Sequence, residues 1–190
     1  MMKIMIICRA FCDEFMILRW RRMVHDYPDV SITLIGDSIY KDDGFGKTSI
    51  RKLNKIEDGR FCYLPLNFKH NKLWRGGYAV QGLIGTLKKV KPNLIYLIGE
   101  EVSDATFQAV WARNIFLPQA KLALFTMNGV ELPFLNMNYR LRWTFLRLFV
   151  DAYFCHCPRT VEILRTLGKV KKPIYMQTQV GVPTDIFKPN

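Results

Sequence analysis

The chain has 190 residues, 49% of them hydrophobic and 13% aromatic, which is enough to build one domain with its own core and excludes a disordered chain. No apolar run approaches the roughly 18 residues a bilayer-spanning helix needs, and the short apolar start, with only Lys3 ahead of it and no small-residue cleavage site, reads as a first strand and not a signal peptide. The formal net charge of +12 points to an anionic partner (nucleic acid, a phosphorylated ligand or an anionic lipid surface), against the plainer reading of a soluble basic surface.

Residues 3–8 are apolar and β-prone and form strand one; 9–13 form a loop, and 14–27 a helix. Phe15, Leu18, Met23 and Tyr27 are the expected core face of that helix, Arg19, Arg21 and Arg22 its solvent face, and Asp13 its N-cap. The loop lacks Gly-x-Gly-x-x-Gly, which argues against the usual dinucleotide enzyme. Pro28 ends the helix, and 30–35 is strand two, closed by Gly36 and Asp37. Residues 40–59 read as a polar excursion with room for one short helix. Its Gly44-Phe45-Gly46-Lys47-Thr48-Ser49 has one residue between the glycines where a phosphate loop needs four, so a nucleotide triphosphatase is rejected.

Strand three covers 60–64 and stops at Pro65. The basic, aromatic stretch 69–77 follows, where Trp74 beside Lys72 and Arg75 suits a membrane interface. A helix then runs to Val90 with Leu83, Ile84 and Leu87 inward and Lys88, Lys89 and Lys91 at its C-terminal end, where cations are favoured.

The stretch 93–101 organises the rest. Leu94 to Ile98 is a continuous apolar run between Pro92 and Gly99, as in a central parallel strand. Ligands of open α/β sheets bind beyond the carboxyl ends of such strands. Glu100 and Glu101 therefore read either as part of a site or as caps of the next helix, 103–116, with Ser103 as N-cap. Residues 120–126 form another buried strand, delivering Asn128 and Gly129 to the same edge, as ligand contact or as turn chemistry. Residues 136–149 form a helix mixing Arg140, Arg142 and Arg147 with Trp143 and other apolar side chains. Most of these are core, and the surplus permits a membrane-facing or acceptor-lining role.

Residues 151–157 are a strand, Pro158 opens a helix ending before Gly168, and 173–178 are the last strand. Five cysteines show no disulfide-like spacing. Cys8, Cys62 and Cys155 read as buried thiols in a cytoplasmic protein. In Cys155-His156-Cys157, strand alternation turns the cysteines away from the histidine, so packing is preferred to metal. About seven strands alternating with helices predict a single doubly wound, Rossmann-like α/β domain with a largely parallel sheet.

The tail Gln179-Val180-Gly181-Val182-Pro183-Thr184-Asp185-Ile186-Phe187-Lys188-Pro189 resembles the Gly-Val-Asp-x-x-x-Phe-x-Pro segment of glycosyltransferase family 4, where it leaves the N-terminal domain of the GT-B fold. Lys91-Pro92-Asn93 resembles the family's Lys-Pro-Asp before a strand, and Val150-Asp151-Ala152 its Ala-Asp-Ala strand. Glu100, Glu101 and Asn128 resemble an acidic pair and an asparagine of one bacterial branch. Pro183 replaces the usual Asp, Val102 stands where that branch often has Pro, and the first loop lacks Gly-Gly.

The resemblance implies that 1–178 is an acceptor-side N-terminal half and 179–190 a linker to a C-terminal donor-binding domain that these residues do not supply, in the same or a separate chain. It implies a retaining sugar transfer from a nucleotide-sugar to a glycan or lipid-linked acceptor, without metal. The nucleotide-sugar is a substrate of the whole enzyme, and this domain alone binds no cofactor and transfers no sugar. Arg9 and Asp13 would face the donor phosphates, and Glu100, Glu101 and Asn128 the acceptor. Trp74, Arg75, Arg142 and Trp143 would form a membrane or acceptor surface. The expected place is the cytoplasm, peripheral to the inner face of a membrane. The alternatives are a non-catalytic binding or membrane-docking subunit of the same fold, and a nucleic-acid binder. The latter is not expected, because neither a stacking basic face nor a reader helix is legible.

Overall fold

The computed structural model describes residues 1–9, 14–42, 49–71, 77–99, 103–126 and 137–177. Its main sheet has eight strands: β1 (Met2–Ile7), β2 (Val30–Asp37), β5 (Ile56–Asp58), β6 (Phe61–Leu66), β9 (Leu94–Ile98), β10 (Lys121–Thr126), β11 (Ala152–Cys155) and β12 (Ile174–Met176). The strand order is β12-β11-β10-β9-β1-β2-β6-β5, parallel throughout except for the antiparallel edge strand β5. Two antiparallel hairpins lie outside it, β3 (Ile39–Asp42) with β4 (Ser49–Lys52) and β7 (Phe68–Asn71) with β8 (Gly77–Val80). The helices are α1 (Glu14–Asp26), α2 (Leu83–Val90), α3 (Asp104–Phe116), α4 (Met137–Phe149) and α5 (Pro158–Thr166). This is the Rossmann-like, largely parallel architecture expected from the alternation of elements.

The central strands are apolar on both faces because helices cover both. Ile4 and Ile6 of β1 point to a core shared with Ile17 and Val24 of α1, whereas Met5 and Ile7 point to the core under α2, α3, α4 and α5. The chain runs outward from β1 in two opposite directions. The helix α1 lies on one face and the later helices on the other.

Several local expectations are corrected. The inward stripe of α1 is Ile17 and Val24, supported by Trp20 and Met23, while Leu18 and Tyr27 are exposed. Positions 17, 20 and 24 follow the helical period, and 18 lies a hundred degrees away from it. Among the described residues the polar excursion forms β3, β4 and β5, and the basic stretch after strand three is bounded by the β7–β8 hairpin. Pro65 sits inside β6 rather than ending it. Arg60 and Leu66 direct their carbonyls to β2, so Pro65, one residue out of phase, turns its missing N–H to the other side, beyond the end of β5. Ser103 caps α3 as expected, its Oγ accepting from the Thr106 N–H at 3.3 Å.

Candidate functional site

The strand order reverses direction between β1 and β9. From β1 the chain proceeds to β2 on one side, and from β9 to β10 on the other, so a crevice opens between the carboxyl ends of these strands. Arg9 follows β1 at this point, with a half-exposed guanidinium. Its Nε lies 3.6 Å from Oδ2 of Asp37, the nearly buried last residue of β2. The Tyr63 hydroxyl donates to the Asp37 backbone carbonyl at 3.3 Å, which pins the strand end from the neighbouring β6.

On the other side of the switch, β9 ends at Gly99, whose φ of +146° is a conformation that side-chain-bearing residues rarely adopt. Ser103 caps the following helix α3. Tyr96, two residues before the strand end, is buried against Trp20 and Phe154. It donates its hydroxyl to Oε1 of Gln177 at 2.9 Å, tying β9 to the residue after β12. Burial, with a smaller contribution from the nearby Cys8, pushes the Tyr96 phenol well above its ordinary range, so it acts as a fixed donor and not as an acid–base group.

At the end of β11, Cys157 caps α5 ahead of Pro158. Its Sγ lies 3.3 Å from the Thr160 hydroxyl, and this side-chain hydrogen bond, with backbone ones, lowers the thiol pKa. Cys155 is fully buried and His156 exposed, as strand alternation requires. Among the described residues no group of three or more histidine, cysteine and carboxylate side chains is placed to hold a metal ion. Among the described residues the switch point thus sets the Arg9 guanidinium beside the Asp37 carboxylate, a pairing suited to a diphosphate or a sugar hydroxyl.

Of the residues singled out in sequence, Arg9 stands at this edge. Asp13, Trp74, Arg75, Glu100, Glu101 and Asn128 lie outside the described residues. Arg142 is half-buried and turned toward α3, where Nη2 lies 3.3 Å from Oδ1 of Asp104. Trp143 is a correction. It is 3% exposed and donates its indole N–H to the Gly168 carbonyl at 2.8 Å, so it belongs to the core and cannot form a membrane or acceptor surface. Its position on α4 places it under the sheet-facing stripe with Leu146 and Val150. Asp37 is the edge residue that sequence reading passed over as a strand stop. Its signal, an acid directly after a buried apolar strand, is the one that marked Glu100.

No protein-family model matches the chain, and no curated protein does. Among solved structures, it is similar to a sucrose-phosphate synthase from Thermosynechococcus elongatus, with a TM-score of 0.51 and 10% identity over 95% of this chain and 89% of that one. It is also similar, with a TM-score of 0.43 and 12% identity over 83% of this chain, to an alpha-glucosyltransferase solved with UDP and a 13-mer DNA containing a central A:G mismatch, of which it spans 38%. The likeness to the sucrose-phosphate synthase structure shows a shared Rossmann-like α/β fold.

Proposed function

We propose that the chain is the acceptor-binding N-terminal half of a retaining, family 4-like glycosyltransferase of the GT-B fold. It works with a donor-binding domain on the same or a separate chain, with 179–190 as the linker. The observation that carries this reading is the switch-point edge, where Arg9 and Asp37 stand on one side and the Gly99 turn on the other. The fold shared with a sucrose-phosphate synthase and the tail's resemblance to the family segment support it.

Arg9, with Asp13 near it in sequence, faces the donor phosphates. A guanidinium beside a departing nucleoside diphosphate lowers the cost of the charge that develops there. Asp37 holds the guanidinium side-on to the crevice. Glu100, Glu101 and Asn128 accept and donate hydrogen bonds to the hydroxyls of a glycan or lipid-linked acceptor. The nucleotide-sugar is a substrate of the complete enzyme, and the transfer needs no metal. The protein works in the cytoplasm.

Two separable losses test the reading. Glu100→Gln with Asn128→Ala abolishes retention of glycan or lipid-extract fractions on the immobilised chain and leaves pyrophosphate binding intact; Arg9→Ala does the reverse. The purified chain by itself turns over no labelled nucleotide-sugar. Turnover by the chain alone, or both losses following from either variant, overturns the assignment.

A further inference from the structure

Arg9 and Asp37 reach the crevice from adjacent strands. Arg9 follows β1, and Asp37 is the last residue of β2, which pairs with β1 in parallel from Met2 with Val30 to Ile7 with Ile35. The Cys8 N–H donates to the Ile35 carbonyl at 3.0 Å, so the two strands stay side by side up to these residues. The backbone of Asp37 is fixed on both sides. Its carbonyl accepts from the Tyr63 hydroxyl at 3.3 Å, and the next amide, of Ser38, donates to the Leu66 carbonyl at 2.8 Å. A carboxylate on so rigid a strand end is preorganised for recognition.

The pairing of the two side chains is loose. Nε of Arg9 lies 3.6 Å from Oδ2 of Asp37, an ion pair but too long for a hydrogen bond. The geometry lets both groups bond to a third that lies over them. A carboxylate accepts from hydroxyls, and a guanidinium donates to phosphate through its outer N–H groups. A ligand that satisfies both carries an anion at one end and, one sugar ring away, neighbouring hydroxyls. A nucleoside diphosphate has this form, with phosphate on C5′ and a vicinal diol on C2′ and C3′. In dinucleotide-binding sheets the phosphates lie at the end of the first strand, and an acid further along the chain takes the ribose hydroxyl. Those sheets use glycines after the first strand to let the backbone approach the pyrophosphate. This chain has no glycine between Arg9 and Glu14, and the Arg9 side chain reaches the phosphate in their place. The strands that lead to Glu100 and Asn128, β9 and β10, lie on the other side of β1, so Asp37 belongs to the phosphate side of the crevice.

We propose that Asp37 accepts hydrogen bonds from the ribose diol of the nucleoside diphosphate whose phosphates Arg9 faces, and so selects a ribonucleotide at this edge. The inference rests on Arg9 as the phosphate contact of the proposed function. It adds the residue that reads the sugar, and it gives Asp37 a contact with the ligand beyond orienting the guanidinium.

Amide NMR titrations of the full chain with UDP, 2′-deoxy-UDP, glucose 1-phosphate and inorganic pyrophosphate test the proposal. UDP shifts Arg9 and Asp37 and binds about tenfold more tightly than 2′-deoxy-UDP, the effect of one hydrogen bond to a charged group. Asp37→Asn brings UDP and 2′-deoxy-UDP level and does not weaken pyrophosphate. Asp58→Asn, at an exposed ion pair on β5, leaves all these affinities as they were. The deoxy comparison uses the unmodified protein and stands whether or not Asp37→Asn folds. Equal binding of UDP and 2′-deoxy-UDP overturns the proposal, and where pyrophosphate still shifts Arg9 it spares the phosphate reading. Asp37→Asn weakening pyrophosphate as much as UDP overturns it as well, because Asp37 would then only orient Arg9. Glucose 1-phosphate bound as tightly as UDP, with the same loss in Asp37→Asn, assigns the diol to a hexose and overturns the choice of ribose. Binding of none of these ligands overturns both the proposal and the phosphate reading.

Discussion

At the amino edge of the sheet the Asp151 carboxylate accepts from Nη2 of Arg113 at 2.6 Å and from the Leu122 N–H at 2.9 Å, with Nζ of Lys121 at 3.8 Å. Arg113 is nearly buried and also donates to the Ala120 carbonyl, so removing the carboxylate strands a charge and an amide together. Asp151→Ala should lower the unfolding free energy by about 2 kcal/mol, read from urea midpoints; a change under a few tenths would contradict the clasp. Asn93 plays a comparable part, accepting the Lys3 N–H on Oδ1 at 2.7 Å while its own backbone bonds to β1 and to Lys121. The residues that carried the family-like strand motifs thus work at the edge opposite the crevice, in the fold and not in the chemistry. At the crevice edge the lowered pKa of Cys157 stabilises its thiolate, so alkylation by iodoacetamide should set in at lower pH there than at Cys62, whose thiol burial pushes up. Site-resolved mass spectrometry across pH would show the order, and Thr160→Val should move the Cys157 midpoint upward. A midpoint for Cys157 at or above that of Cys62 would contradict the Thr160 contact.

Whole elements were legible where burial dominated. β1, β2, β6, β9, β10 and β11 announce themselves as short apolar runs between breakers, and α2, α3 and α5 by period and caps, because a strand covered on both faces leaves little choice of residue. The two hairpins were not legible. Their strands are only four residues long and pair with each other rather than with the sheet, and three of the four mix polar with apolar residues, so no alternation betrays them. Besides its pairing with β7, β8 is held to α3 by one side chain. Gln108 on α3 accepts the Val80 N–H at 2.9 Å and donates to the Val80 carbonyl at 3.0 Å, standing in for a neighbouring strand. Gln108→Leu should leave the main sheet intact and release the Val80 amide. Hydrogen exchange would show Val80 protection falling about tenfold or more while Ile6 and Ile95 keep theirs. Uniform loss at all three would mean the hairpin is no separate unit. The packing of α4 against the end of α5 is tighter than its sequence suggested. A Cβ at Gly168 would come within 2.8 Å of the Leu164 carbonyl and 3.0 Å of the Trp143 indole nitrogen. Gly168→Ala should therefore cost about 1–3 kcal/mol and lower the melting temperature. Gly168 was legible only as a helix stop; its closeness to Trp143 needed the three-dimensional packing.

For the molecule as a whole, one edge carries the functional account. It is the carboxyl edge at the β1/β9 switch, legible in part because Arg9 follows the first strand and because strand order follows from alternation. Asp37 joined it only once β2 was seen beside β1. On α3 and α4 the sequence showed arginines and large apolar side chains but not which of them turned outward: Trp143 went in, and Trp111 and Leu148 stayed out. The edge shares the positive balance of the chain, so binding there should weaken with ionic strength. The switch-point edge is the central claim, and the most direct measurement is a titration of the isotope-labelled chain with inorganic pyrophosphate, followed by amide NMR. The account predicts saturable shifts at Arg9, Asp37 and Gly99 that vanish in Arg9→Ala, with the β5 and β12 edges silent. Shifts spread evenly over the basic surface, or unchanged by Arg9→Ala, would contradict it.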